Sequence, residues 1–263
     1  YKYVNGSGTE IDTMSVERDL TYKVSDLVGN YQIFFKVTDV TTGLSDKTNF
    51  EMTVIGKFGV GLIVLGEVNG MTNLMFINEA GNVISLYGDE AGDMLGKNPV
   101  CVGDATAPNI SSLKDIMVLC EDENGGKVLS NADFTMSKDI MDVFFMKPEN
   151  FKPQAYYRAY NPIYREGFAD FIINNGKLHT RATYNEGQFG RSIAFNPAVG
   201  GKYELCPFAI VCPAAYVFFD NSEEGRFVII RQGMFSMDDV FYVLTSETAG
   251  FDPSKVGMKC IYL

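Results

Sequence analysis

The sequence has no tryptophan, one histidine (His179), and no apolar run approaching the roughly 20 residues that a membrane-spanning helix requires. Its longest apolar stretches are of the order of Leu62–Leu65 and Ala214–Phe219. A single histidine leaves a serine or cysteine triad only one possible base, and no other ligands stand at a spacing that would make it part of a zinc site. His179 lies in Lys177-Leu178-His179-Thr180 among polar neighbours and reads as a solvent-facing strand residue. Positive charge is also scarce. Lys and Arg number 22 against 33 Asp and Glu, a net charge of −11, and no local basic cluster opposes that field. Nucleic acid and anionic lipid are therefore not expected partners. Tyr1-Lys2-Tyr3-Val4 has neither a basic segment nor an apolar core of the kind an export signal carries. The five cysteines, Cys101, Cys120, Cys206, Cys212 and Cys260, are odd in number and irregularly spaced. They read as buried thiols rather than a disulfide framework or a metal site.

What fills the chain instead is short alternating text rich in Val, Ile, Phe and Tyr, cut by Gly, Asn and Asp turns, and the class is all-β. Strands are expected at Leu20–Val24, Tyr31–Asp39 and Thr48–Ile55, with a turn at Thr41-Thr42-Gly43. In the second of these, Tyr31, Ile33, Phe35 and Val37 alternate with Gln32, Phe34, Lys36 and Thr38, the period of a strand with one buried face. Three strands are only part of an immunoglobulin-like sandwich.

From Gly61 onward a repeat of apolar strand, turn glycine and apolar strand is legible. Its copies are Leu74-Met75-Phe76-Ile77 with Gly81, Ile116-Met117-Val118-Leu119 with Gly126, Phe171-Ile172-Ile173 with Gly176, and Val217-Phe218-Phe219 with Gly225. The glycines are 45, 50 and 49 residues apart, in the range of a β-propeller blade. The expected organisation is a partial sandwich over 1–56 and propeller-type repeats over 57–263, about four blades with Met258–Leu263 opening a fifth. On that reading the sequence is a piece of a longer protein, missing residues at both ends.

Gly29-Asn30-Tyr31-Gln32-Ile33-Phe34-Phe35-Lys36-Val37-Thr38-Asp39, Thr42-Gly43 and Phe50-Glu51-Met52-Thr53-Val54 resemble the closing strands of a PKD-like domain, and Gly61-Leu62-Ile63-Val64-Leu65 resembles the junction after it. The combination is similar to PKD-like surface lipoproteins of Bacteroidota, typically encoded beside SusC/SusD-type outer-membrane importers. The resemblance implies a cell-surface, outer-membrane location and a SusC/SusD-type importer as partner. It further implies a role in nutrient uptake, of glycan or peptide, and an N-terminal lipid anchor outside this sequence. Asp12-Thr13-Met14 resembles the short O-glycosylation signal of such exported proteins.

No catalytic residue, cofactor or metal ligand is expected. Glu121–Gly126 lacks the alternating acidic spacing of an EF-hand, and Gly59-Val60-Gly61 does not complete a nucleotide-binding glycine motif. The densest aromatic text is Tyr156–Phe168, and Tyr156, Tyr157, Arg158, Tyr160, Tyr164 and Arg165 are the candidate contact residues. Tyr and Arg are enriched at protein interfaces and aromatic rings stack on sugars, whereas a connection packed on its own core has the same composition. The leading expectation is a non-enzymatic accessory lipoprotein of an importer. The alternatives are a free-standing surface glycan-binding protein and a propeller hydrolase or lyase.

Overall fold

A computed structural model describes residues 2–4, 11–23, 29–54, 58–88, 95–105, 115–122, 124–159, 169–182, 188–195, 201–212, 215–231, 240–247 and 250–261. The chain is all-β and forms two compact units, Tyr1–Val60 and Gly61–Leu263.

The first unit holds β1 (Lys2–Val4), β2 (Ile11–Thr13), β3 (Gly29–Thr38) and β4 (Ser45–Val54) in one sheet of order β2-β1-β3-β4. The alternation read in β3 holds in part: Ile33 is buried, Tyr31 and Phe35 are half-buried and Gln32 and Lys36 face solvent, but Phe34 is half-buried as well and Val37 is exposed. The β3–β4 turn is organised by Asp39, whose carboxylate accepts the N–H groups of Thr41 (2.7 Å) and Thr42 (2.9 Å). The Thr42 and Thr41 bonds hold its pKa below the ordinary carboxylate value. Residues 20–23 of the expected strand Leu20–Val24 are not in a strand. Lys2–Val4 instead pairs along Gln32–Phe34 on the free edge of β3, a role that three residues are too short to announce by periodicity.

The second unit is a succession of antiparallel meanders. The first sheet is β5 (Gly61–Val68), β6 (Met71–Asn78) and β7 (Val83–Tyr87), and the second is β8 (Pro99–Asp104), β9 (Asp115–Cys120), β10 (Gly126–Ser130) and β11 (Met136–Asp139). The third is β12 (Pro153–Ala159), β13 (Ala169–Asn174) and β14 (Lys177–Ala182). The fourth runs in the order β15-β19-β18-β17-β16, from β15 (Ala194–Phe195), β16 (Leu205–Cys212), β17 (Ala215–Asp220), β18 (Arg226–Arg231) and β19 (Val240–Val243).

The middle sheets are covered on both faces. Ile172 joins Met117, Leu119, Val128, Phe144 and Phe189 in one core. Its neighbours in β13, Phe171 and Ile173, point the other way and join Tyr216, Phe218, Val228, Ile230 and Phe241 in a second. A strand covered on both faces is apolar at consecutive positions rather than at alternate ones, which is how Phe171-Ile172-Ile173 is written. Burying each such side chain contributes about 1.5–3 kcal/mol.

The hairpins show why the repeat glycines are there. In the third sheet Asn175 (φ 48°) and Gly176 (φ 70°) form a two-residue turn of the primed type, which needs positive φ at both positions. Two backbone bonds then tie each hairpin to the segments beside it. Asn175 N–H donates to the Lys152 carbonyl (2.9 Å) and Leu205 N–H, at the start of the next sheet, to that of Gly176 (2.9 Å). In the fourth sheet the same places are taken by Asn221 N–H on Glu204 (2.6 Å) and Val256 N–H on Gly225 (2.9 Å). A side chain on these glycines would collide with the covering segment, a Cβ lying 1.9 Å from the Met258 carbonyl at Gly225 and 2.9 Å from Glu204 at Gly176.

Two of the aligned glycines are displaced from this pattern. In the second sheet Gly125 (φ 71°) occupies the covered position, a Cβ there lying 2.3 Å from the Phe151 ring, and Gly126 opens β10. In the first sheet the counterpart is Gly70 of the Asn69-Gly70 turn, whose carbonyl accepts Asn98 N–H (3.1 Å) just before β8. Gly81 closes the other hairpin of that sheet, between β6 and β7. Among the described residues the sheets remain open and none closes a ring with another.

This geometry separates two costs. Gly70→Ala meets no atom within 4 Å and is expected to lose about 1 kcal/mol from its backbone alone. Gly225→Ala adds the collision with Met258 and is expected to lose about 2–3 kcal/mol. Urea unfolding of both variants checks the difference, and equal losses would mean that the covering segment yields freely.

Candidate functional site

Tyr156, Tyr157 and Arg158 do not lie in a connection. They are the centre of β12, which packs between β8 and β16. Each is half-buried and engaged within the second unit. Tyr156 stands against Gly103 of β8, where a Cβ would come within 2.1 Å of its ring, and its hydroxyl donates to Asp170 Oδ2 (2.9 Å). Burial first, and the Asp170 charge second, hold its phenol well above the ordinary pKa. Tyr157 turns to the other side, its ring 5.5 Å from Phe171 and its hydroxyl donating to the Pro207 carbonyl (2.6 Å). Arg158 Nη1 reaches the Asp104 carbonyl (3.3 Å) and lies 4.0 Å from the Asp104 carboxylate. For these three residues the aromatic and cationic character is used in joining three sheets. Tyr160, Tyr164 and Arg165 lie outside the described residues.

Beside β12 is a polar cluster that the sequence reading did not single out. Asp170 and Arg181 face each other across β13 and β14, and Arg181 Nη2 and Nε (3.1 Å) both donate to Asp170 Oδ2. Arg181 also lies over the Phe189 ring, 4.9 Å from its centroid, and is 1% exposed. Asp115, at the start of β9, completes the group at 3.9 Å from Arg181 Nη1, with Lys138 3.8 Å away on its outer side. Asp115 Oδ2 accepts no direct hydrogen bond. A charged pair this deep persists only because each ion neutralises the other in a medium that solvates neither. An Asp and an Arg in otherwise apolar strands, Ala169-Asp170-Phe171 and Thr180-Arg181-Ala182, were the available signal.

The cluster marks one end of the second and third sheets. There β8, β12 and β14 finish and β9 and β13 begin. The opposite end carries the tight glycine hairpins. That end is fixed by close backbone contact, and it also carries the connection 140–152 from β11 to β12, whose Phe151 lies over Gly125.

His179 is buried, contrary to the solvent-facing reading. Its Nδ1–H donates to the Gly190 carbonyl (3.0 Å) and its ring stands edge-on to Phe144 at 5.4 Å. The polar neighbours Lys177 and Thr180 misled because the opposite face of β14 is covered too. Burial lowers the His179 pKa. Since the folded state binds this proton more weakly than the unfolded chain, stability is full above the ordinary histidine pKa near 6.5 and falls as pH drops below it. His179→Gln is expected to flatten this loss between about pH 7 and 5, as followed by thermal unfolding.

The four cysteines described by their side chains are free thiols, with Cys120 and Cys206 buried. Burial pushes the Cys101 thiol up to about 12 and the Cys120 thiol to about 11. Among the described residues no group of three or more His, Cys, Asp or Glu side chains is placed to hold a metal ion.

Residues 1–99 match the model of the PKD-like family. The match covers the whole first unit and continues through β5, β6 and β7 of the second. A search of curated proteins gives no match to the chain.

Proposed function

We propose that this chain is part of an accessory surface lipoprotein of a SusC/SusD-type outer-membrane importer, acting through a partner contact rather than a reaction. The observation that carries the reading is the PKD-like match over residues 1–99, which includes the strand and junction text resembling such lipoproteins. The meander sheets of the second unit are read as successive propeller blades, with the end that carries the Asp170–Arg181 cluster turned to the partner. Tyr156, Tyr157 and Arg158 hold β12 between its neighbours, so the contact is assigned to the residues that follow them, Tyr160, Tyr164 and Arg165.

The test is co-purification of the full-length protein from native outer membranes on blue-native gels. The wild type migrates with importer components. A Tyr160→Ala/Tyr164→Ala/Arg165→Ala variant is expected to keep its stability within about 0.5 kcal/mol per site and to lose the association, since a central interface anchor contributes about 2 kcal/mol or more. Wild-type protein that migrates alone but binds soluble glycan with measurable affinity would replace the importer reading with that of a free-standing glycan binder.

A further inference from the structure

We infer that Cys206 and Cys260 form an oxidisable dithiol whose disulfide staples residues 250–261 to the fourth sheet. The two thiols are 54 positions apart in the sequence and are hydrogen-bond partners. The backbone explains how they meet. Leu205 points into the core shared by the third and fourth sheets, so Cys206, the next residue along β16, faces the other way. That outer face carries Phe219 and Phe227, and residues 250–261 lie across it. The Phe251 ring is 6.1 Å from that of Phe227, and Phe227 N–H donates to the Pro253 carbonyl (2.8 Å).

Cys260 is held in register by one side chain. Asn221 Nδ2 donates to the Cys260 carbonyl (2.9 Å), and Cys260 N–H donates back to Asn221 Oδ1 (2.8 Å). Asn221 N–H is in turn bonded to the carbonyl of Glu204, two residues before Cys206. The pair is therefore fixed by bonds that do not involve sulfur.

The two thiols differ in access, which orders the chemistry. Cys206 is 1% exposed and burial pushes its thiol up to about 11, whereas Cys260 is partly exposed. The oxidant is a small-molecule disulfide, RSSR. The Cys260 thiolate attacks one sulfur of RSSR, its proton leaves with the first RS⁻ as RSH, and a mixed disulfide Cys260–S–S–R remains. The Cys206 thiolate then attacks the Cys260 sulfur of that bond, the Cys206–S–S–Cys260 bond forms, and the second RS⁻ takes the Cys206 proton. Two thiols are oxidised and one disulfide is reduced. The high Cys206 pKa makes the second step slow near neutrality and faster as pH rises.

The test is to incubate the folded chain with oxidised glutathione and map the alkylated peptides by mass. The expected result is a linked peptide joining Cys206 to Cys260, two hydrogens lighter than the reduced pair. The Cys206→Ser variant should instead retain a glutathione adduct on Cys260, because the resolving thiol is gone. In the oxidised wild type, protease cleavage within 250–261 should slow by about tenfold or more, since the bond constrains local opening. A wild-type protein that stays reduced, one that links Cys101 to Cys120 instead, or a Cys206→Ser variant with no adduct on Cys260 would each overturn the assignment.

Discussion

Arg181→Ala is expected to destabilise the protein by about 3–5 kcal/mol, a large share of the stability that a domain of this size possesses. The loss does not come from a missing attraction alone. Removing the guanidinium takes from Asp170, 5% exposed, the cation that neutralises it, and leaves Asp115, among the described residues, with Lys138 alone at 3.8 Å. The paired replacement Arg181→Met/Asp170→Asn removes both charges and is expected to cost far less, within about 1–2 kcal/mol of wild type. Urea unfolding of the two proteins checks this. A single variant losing less than about 1 kcal/mol would show that water reaches the pair.

Phe171→Ala is expected to cost a similar about 3–5 kcal/mol, for a different reason. The ring is fully buried, with the rings of Tyr157, Tyr216 and Phe218 at 5.5, 5.4 and 5.3 Å. Those neighbours come from β12 and β17, so the vacated space lies between two sheets and cannot be filled by movement of one strand. Phe171→Leu keeps most of the volume and is expected to cost about 1–1.5 kcal/mol. Chemical denaturation of both variants measures the difference, and near-equal losses would point to ring stacking rather than volume as the dominant effect.

The strands that the sequence made legible are those whose residue choice is forced. Gly176 and Gly225 could be found because a tight hairpin with positive φ admits almost nothing else. The reading slipped at Gly81 because both hairpins of a meander are apolar strand, polar turn, glycine, and sequence alone does not say which end of the sheet a turn belongs to. Only the bond from Asn98 to Gly70 identifies the first-sheet counterpart. His179 and Tyr156 were misplaced by a shared cause. Alternation announces burial on one face, but β12 and β14 are covered on both, so polar atoms there are satisfied by partners distant in sequence, Gly190 and Asp170. The Asp170–Arg181 pair was missed because its register is set by β13–β14 pairing, and only a fixed register turns two isolated charges into neighbours.

The covering of Gly125 by Phe151, of Gly176 by Glu204 and of Gly225 by Met258 links each hairpin to the segment that follows its own sheet. Free energy in the second unit is thereby shared between adjacent sheets rather than pooled across the whole. A lesion at one hairpin should loosen its own sheet and the next while leaving one two places away at full protection. Amide exchange should then fall off along the chain in steps, slowest in the doubly covered β9 and β13. Substitutions in non-adjacent sheets should add in their effects on stability, and those in adjacent sheets should not.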